Sequence, residues 1–220
     1  MIGMNRRQSE VLWLCLFCVA LVAIGCSKRK SYSPPPGVLE FRIAPYIEGA
    51  PNASDYVISK TDVEKYVKML QEEGAEPGRK RSDAFQWFPI RGNTDDPGAV
   101  TADYAGKTYL LLSNRPNDVV INSPGQAPWG ISDAFASTDE TGRPAVDITF
   151  DDTAAKLLTK LTGAHRRNGT RPGDHLAIVV KGEVYSLPTI QTTVSDMCQI
   201  SGKFTQNDVS EMVNLLTKGS

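Results

Sequence analysis

Three stretches of the chain repeat apolar residues at helical spacing, and most of the other apolar residues alternate or run in short blocks. In "TDVEKYVKML", Val63, Tyr66, Val67 and Leu70 fall at i, i+3, i+4 and i+7, which is one face of a helix. Thr61 with Glu64 reads as a capping box at its start, and Gly74 as its stop. "DDTAAKLLTKLTGA" puts Ala154, Leu157, Leu158 and Leu161 on one face, with Asp151 or Asp152 as N-cap. "TQNDVSEMVNLLTKG" does the same with Val209, Met212, Val213 and Leu216, behind a Thr205 cap and ahead of Gly219. Each helix is apolar on one side only and needs a sheet to lie on.

Short segments rich in β-formers supply the strands: "VLEFRIA", "FQWFPI", "KTYLLLS", "DVVIN", "ISDAFAS", "PAVDITF", "HLAIVV", "EVYSLPTI" and "DMCQISG". Leu176 to Val180 is apolar at every position, as in a central strand covered on both faces. Pro188 has no N–H for a ladder, so its strand is expected at an edge or bulged there. "RGNTDDPGAVTADYAG" reads as loop. From Ile131 onwards the order is β-β-α-β-β-β-α. That order predicts an α+β fold, a mostly antiparallel sheet with helices on one face.

The N-terminus follows a different pattern. Arg6 and Arg7 precede an unbroken apolar run, Val11 to Ile24, and then Gly25-Cys26. The run is shorter than the roughly 20 apolar residues that span a membrane, and it fits the core of a signal peptide. Ala23 and Gly25 ahead of Cys26 resemble a bacterial lipobox, although Ala23 stands where Leu is commoner. That resemblance implies removal of residues 1–25 and acylation (palmitate among the chains) of Cys26, the expected lipid-attachment residue. Residues 26–37, "CSKRKSYSPPPG", then read as a basic, proline-rich tether. The expected location is the bacterial cell envelope, on the periplasmic side of the inner or outer membrane. The protein would be lipid-anchored, with its folded part outside the cytoplasm.

Of four cysteines, Cys15 and Cys18 would leave with the signal and Cys26 would carry lipid. Cys198 is then single, and the folded part is expected to stand on its hydrophobic core without an internal disulfide. The formal net charge of −1, with no basic stripe, argues against a nucleic-acid partner.

Catalysis finds little material. There are two histidines. His165 ends a helix, where the dipole alone accounts for it. His175 follows Asp174 on a strand, where neighbouring side chains point to opposite faces. Cys198 has no histidine close in sequence and reads as a small buried hydrophobe. Asp95-Asp96 and Asp151-Asp152 lack the alternating oxygens of a calcium loop. Gly163, Gly169 and Gly173 lack the setting of a phosphate cradle. No catalytic residue, metal ligand or cofactor is expected, and the chain reads as a non-enzyme.

Three stretches in order carry a family resemblance: "GRPAVDITFDDTAAKLLTKLT", "LAIVVKGEVYSLPTI" and "ISGKFTQNDVSEMVNLLTKG". Together they resemble the first periplasmic (head) domain of SecD/SecDF-type protein-export membrane proteins. The matching positions include Gly182, Val184, Ser186, Pro188, Ile190 and the Ile200 to Thr205 signature. Lys181 departs from the pattern, standing where an acidic or small residue is more usual. No stretch resembles the family's charged transmembrane helices. The resemblance therefore implies a ferredoxin-like head, with no energised motor.

The expected organisation is residues 1–25 as signal peptide, 26–37 as lipidated tether, 38–130 as an N-terminal α+β portion and 131–220 as the head-like domain. The expected function is binding of exported polypeptides or Sec translocon components, with the polypeptide-binding residues unassigned. The alternative is an envelope adaptor that reuses the fold with no export role.

Overall fold

The computed structural model describes residues 31–51, 53–75, 83–91, 98–123 and 128–218. The signal-peptide and Cys26 expectations, Asp95-Asp96 and Gly219 lie outside the described residues. In chain order the elements are β1 (Leu39–Ala44), β2 (Tyr46–Ile47), β3 (Val57–Ile58), α1 (Lys60–Glu73), β4 (Phe85–Pro89), β5 (Thr101–Tyr104), β6 (Lys107–Ser113) and β7 (Val119–Ile121). There follow β8 (Ile131–Thr138), β9 (Pro144–Phe150), α2 (Asp152–His165), β10 (His175–Val180), β11 (Glu183–Ser186), β12 (Met197–Ser201) and α3 (Gln206–Lys218). The fold is α+β, and its pairings are antiparallel except for the short β2–β3 pair.

The strands divide among sheets ordered β11-β10-β1-β7, β12-β9-β8, β4-β6-β5 and β2-β3. Period-2 alternation explains how they stack. Along β10, Leu176, Ile178 and Val180 enter the main core, where Phe41, Ile148, Leu158 and Met212 meet them. Ala177 and Val179 point the other way, onto Phe88, Leu110 and Leu112 of the β4-β6-β5 sheet. Leu111 faces the far side of that sheet, against Trp87 and Leu70 of α1. The apolar run of β10 is thus covered on both faces, and every one of its residues is buried. β1 lies between β10 and β7, so residues on both sides of position 130 share one sheet.

Several local expectations change. Helix α1 is capped by Ser59, whose hydroxyl accepts from the Asp62 N–H at 3.1 Å, two residues earlier than the Thr61–Glu64 pair. Gly74 does stop it, with φ at 79° and its N–H donating to Leu70 O. Asp151 caps α2 by accepting from the N–H groups of Thr153 and Ala154. Leu157 is 38 % exposed, and Thr162 takes a buried place instead, its hydroxyl donating to Leu158 O at 2.7 Å. On α3, Leu215 is buried and Val213 only partly so. The supposed loop at 91–106 contains β5, paired with β6 through the left-handed Ala105-Gly106 turn. Its polar residues hid it, because both faces of β5 are at least partly exposed.

The hairpin at 181–182 turns through two residues of positive φ, Lys181 at 50° and Gly182 at 76°. That geometry suits a two-residue hairpin because its twist matches the strands. β11 ends at Ser186, before Pro188, and is the edge strand of its sheet, with a bulge between Ile178 and Val179. Pro188 contributes only its carbonyl, which accepts from the Leu176 N–H at 2.9 Å.

Candidate functional site

Polar groups inside an apolar core call for an account, since each must find a partner or forfeit its hydration. Among the described residues, Arg42, Ser113, Asp118 and Asp174 are buried and join one seam. Arg42 is buried on β1, where Nη1 donates to Ser113 O at 2.9 Å and to Asn114 Oδ1 at 2.6 Å. Its Nε donates to Glu40 Oε2 at 2.6 Å, and the guanidinium lies 4.8 Å from the centre of the Phe88 ring. Ser113 passes the seam on, its hydroxyl donating to Asp118 Oδ2 at 2.8 Å. The Tyr56 hydroxyl donates to the same carboxylate oxygen. His165, at the end of α2, sits between two carboxylates. Its Nδ1 is 2.5 Å from Asp174 Oδ2 and its Nε2 is 3.5 Å from Asp118 Oδ1.

The sequence treated His165 as a dipole contact at a helix end. In the structure it is a clamp, its side chain 11 % exposed, holding the end of α2 to the segments before β7 and β10. Burial on its own would lower its pKa. The hydrogen bonds and charges of Asp118 and Asp174 outweigh this and raise it from 6.5 to about 9. For Asp118 burial acts upward, but bonds from His165, Tyr56 and Ser113 bring the carboxyl below its ordinary value. Burial and the Asp118 carboxylate push the Tyr56 phenol up. His165 and Asp118 are therefore an imidazolium and a carboxylate at neutral pH.

A charged imidazole has no free lone pair to take a proton, so His165 cannot serve as general base to Ser113 or Tyr56. Both hydroxyls point at Asp118 instead. This seam joins elements that are far apart in sequence. His175 is buried elsewhere, its ring 4.4 Å from that of Tyr46 and its Nδ1 3.4 Å from the Thr189 hydroxyl. Asp174 and His175 thus serve different neighbours. Cys198 packs on the main core, and burial pushes its thiol up to about 12, far from a reactive thiolate. Among the described residues no cluster of His, Cys, Asp and Glu is placed to hold a metal ion. Asp151 serves as a cap. A cavity of about 340 Å³ lies away from the seam, between α1 and β4, lined by Tyr66, Leu70, Phe85 and Trp87 among others.

The seam gives stability a pH dependence whose sign follows from these shifts. The folded pKa of His165 is above its unfolded value, so its contribution is whole below about 6.5 and is lost as pH rises through about 9. Asp118 acts in the opposite sense, its contribution present above the ordinary carboxylate value and lost as pH falls. Urea unfolding at pH 6, 8 and 10 should show a decline of about 2 kcal/mol across that range, allowing for partial solvent screening. His165→Gln should be less stable at pH 6 and should flatten the slope. An equal slope in the variant would remove His165 as its source.

The residues behind the family resemblance have structural duties that can now be named. "VVKGEV" makes the β10–β11 hairpin. In "ISGKFT", a Cβ on Gly202 would come within 3.0 Å of the Phe204 ring, which stands 6.0 Å from that of Tyr185. Thr205 then caps α3, its hydroxyl accepting from the Asp208 N–H at 3.2 Å.

Comparison with known proteins gives a consistent result. The family described as SecDF, P1 head subdomain, matches residues 117–220. The protein translocase subunit SecD of Rhodobacter capsulatus is 32 % identical over 137 residues, 61 % of this chain and 23 % of that protein. SecD of Rhodothermus marinus is 32 % identical over 123 residues, 55 % of this chain and 18 % of its own length. SecDF of Thermus thermophilus is 35 % identical over 91 residues, 41 % of this chain and 12 % of that one. A solved structure of SecDF, described as a membrane component that enhances protein export, is 24 % identical with a TM-score of 0.41. It covers 84 % of this chain and 64 % of that one. This chain spans less than a quarter of the length of the SecD relatives. Among the described residues no helix is long and apolar enough to cross a membrane. Residues 117–220, which run from the approach to β7 to the last helix, are similar to the SecDF P1 head subdomain.

Proposed function

We propose that this protein is a membrane-tethered head domain that binds polypeptide or a translocase partner during protein export, by contact rather than catalysis. The observation that carries the reading is the match of residues 117–220 to the SecDF P1 head, within relatives named as protein translocase subunits. Residues 1–25 act as signal peptide, Cys26 carries the lipid and residues 26–37 form the tether. Residues 38–130 supply the N-terminal α+β portion, and 131–220 the head. The folded part stands in the periplasm. The polar seam supports binding over catalysis, because its Ser113 and Tyr56 hydroxyls and its His165 imidazole are committed to the carboxylates of Asp118 and Asp174.

A photoreactive amino acid placed in turn at the exposed positions Val57, Phe135, Leu157 and Met197 tests the reading in cells. Adducts with nascent exported chains or translocon subunits are expected. Adducts confined to wall or outer-membrane proteins would overturn the export role and leave an envelope adaptor. In parallel, Cys26→Ala should accumulate as an unacylated precursor, whereas normal processing and membrane retention of that variant would remove the lipid anchor.

A further inference from the structure

Strand β8 forms one edge of the β12-β9-β8 sheet. The direction of its backbone groups can be worked out from β9. Phe150 N–H donates to Asp196 O, on the β12 side. Antiparallel strands alternate, so Ile148 also turns its backbone to β12, while Thr149 and Asp147 turn theirs to β8. Their partners on β8 are Asp133 and Phe135. The N–H and C=O of Ala134 and Ala136 are consequently directed away from the sheet. Among the described residues no backbone bond outside the strand pairings reaches them.

The same edge already accepts an added segment at its start. Tyr32 and Ile131 exchange both backbone hydrogen bonds, each 2.7 Å long, in antiparallel sense. Beyond Ile131 a bulge intervenes, and from Asp133 the strand is regular to Thr138. Natural edges are commonly guarded by lysine, proline or a covering element. "ISDAFAST" has neither lysine nor proline, and a single charge at Asp133. Phe135 is 46 % exposed on the outer face of the sheet, and Met197 of β12 is 56 % exposed on that face. Main-chain bonds carry no sequence information, and a phenylalanine and a methionine accept many side chains, so the surface suits chains of unrelated sequence.

We propose that the outer edge of β8, centred on the exposed Ala136 and next to the buried Ala134, receives an extended polypeptide as an added antiparallel strand. The proposal rests on the polypeptide-binding reading above and gives it a location. It predicts that the guest chain is held chiefly by its backbone, with apolar residues at alternate positions against Phe135.

The test uses the purified full chain and, as probe, a reduced and carboxymethylated protein that cannot refold. Hydrogen exchange at the Ala134 and Ala136 amides should slow when the probe is added. Ala136→Pro removes an N–H that points away from β9, a position where proline is tolerated in an edge strand. Its unfolding midpoint should stay near that of the parent, while affinity for the probe falls by about tenfold or more. Should that variant fold poorly, Ala136→Lys places a solvated charge on the same edge and should weaken binding likewise. Binding of the probe without protection of these two amides would overturn the edge and leave the polypeptide-binding reading intact. Failure of the parent to bind any unfolded probe would overturn that reading itself. Concentration-dependent protection in the absence of probe would make the occupant a second copy of this chain, against the proposal.

Discussion

Asp118→Ala should lower the stability of the folded part by about 3–5 kcal/mol, the range for removing one partner of a buried ion pair. One carboxylate oxygen accepts from both Ser113 and Tyr56, and the other faces His165. Its loss leaves two hydroxyls without their acceptor and an imidazolium with only Asp174 beside it. Asp118→Asn keeps the shape and an acceptor but loses the charge, so an intermediate loss is expected, with a flatter response to alkaline pH. Urea unfolding at pH 7 measures both. A loss below about 1 kcal/mol for the alanine variant, the size of an ordinary surface pair, would mean that the seam is solvated and that its elements are held by the core alone.

Gly173→Ala should be comparably severe, for a purely steric reason. A Cβ at this position would lie 1.8 Å from Ile190 O and 2.9 Å from Arg167 N. Both are backbone atoms, so no rotamer can relieve the clash. They are also bonded to each other at 3.0 Å, next to the Ile190 N–H to Asp174 O bond of 2.9 Å. Admitting a methyl group means opening the backbone beside Asp174 and His165. A loss of about 3 kcal/mol or more is expected, at the upper end for overpacking. Gly182→Ala is a useful contrast. It has φ at 76° but nothing within 4 Å of a new Cβ, so only backbone strain of about 1 kcal/mol applies. If Gly182→Ala proved the more damaging of the two, the close approach at Gly173 would be wrong.

Local rules were enough for much of the fold. Helical spacing located the three helices of the described residues, and the Asp151 and Thr205 caps followed from short side chains ahead of apolar faces. The unbroken apolar run of β10 announced a strand covered on both sides. Where local rules misled, an element answered to something remote. β5 escaped notice because it is half-exposed and has no apolar alternation to reveal it. Leu157 matched the helical face but lies at its margin and is exposed.

The seam was illegible for a related reason. Its charged members are spread from Arg42 to Asp174, and no spacing connects Asp118 with His165, which are distant in sequence and 3.5 Å apart in the fold. A possible signal was the pair of histidines in a chain otherwise poor in them, and it pointed to no partner. Gly173 likewise looked like one glycine among several in a loop. The close passage of residue 190 gives it its role.

The sequence alone determined the class of fold, the order of the elements from Ile131 onwards and the resemblance to a head domain. These rest on periodicity and turn chemistry, which act between residues close along the chain. Tertiary structure alone decided which polar groups share a carboxylate, which backbone passes too close to Gly173 for a methyl group and which strand ends the β12-β9-β8 sheet. Those depend on distances between segments far apart in sequence, which only the packed chain sets.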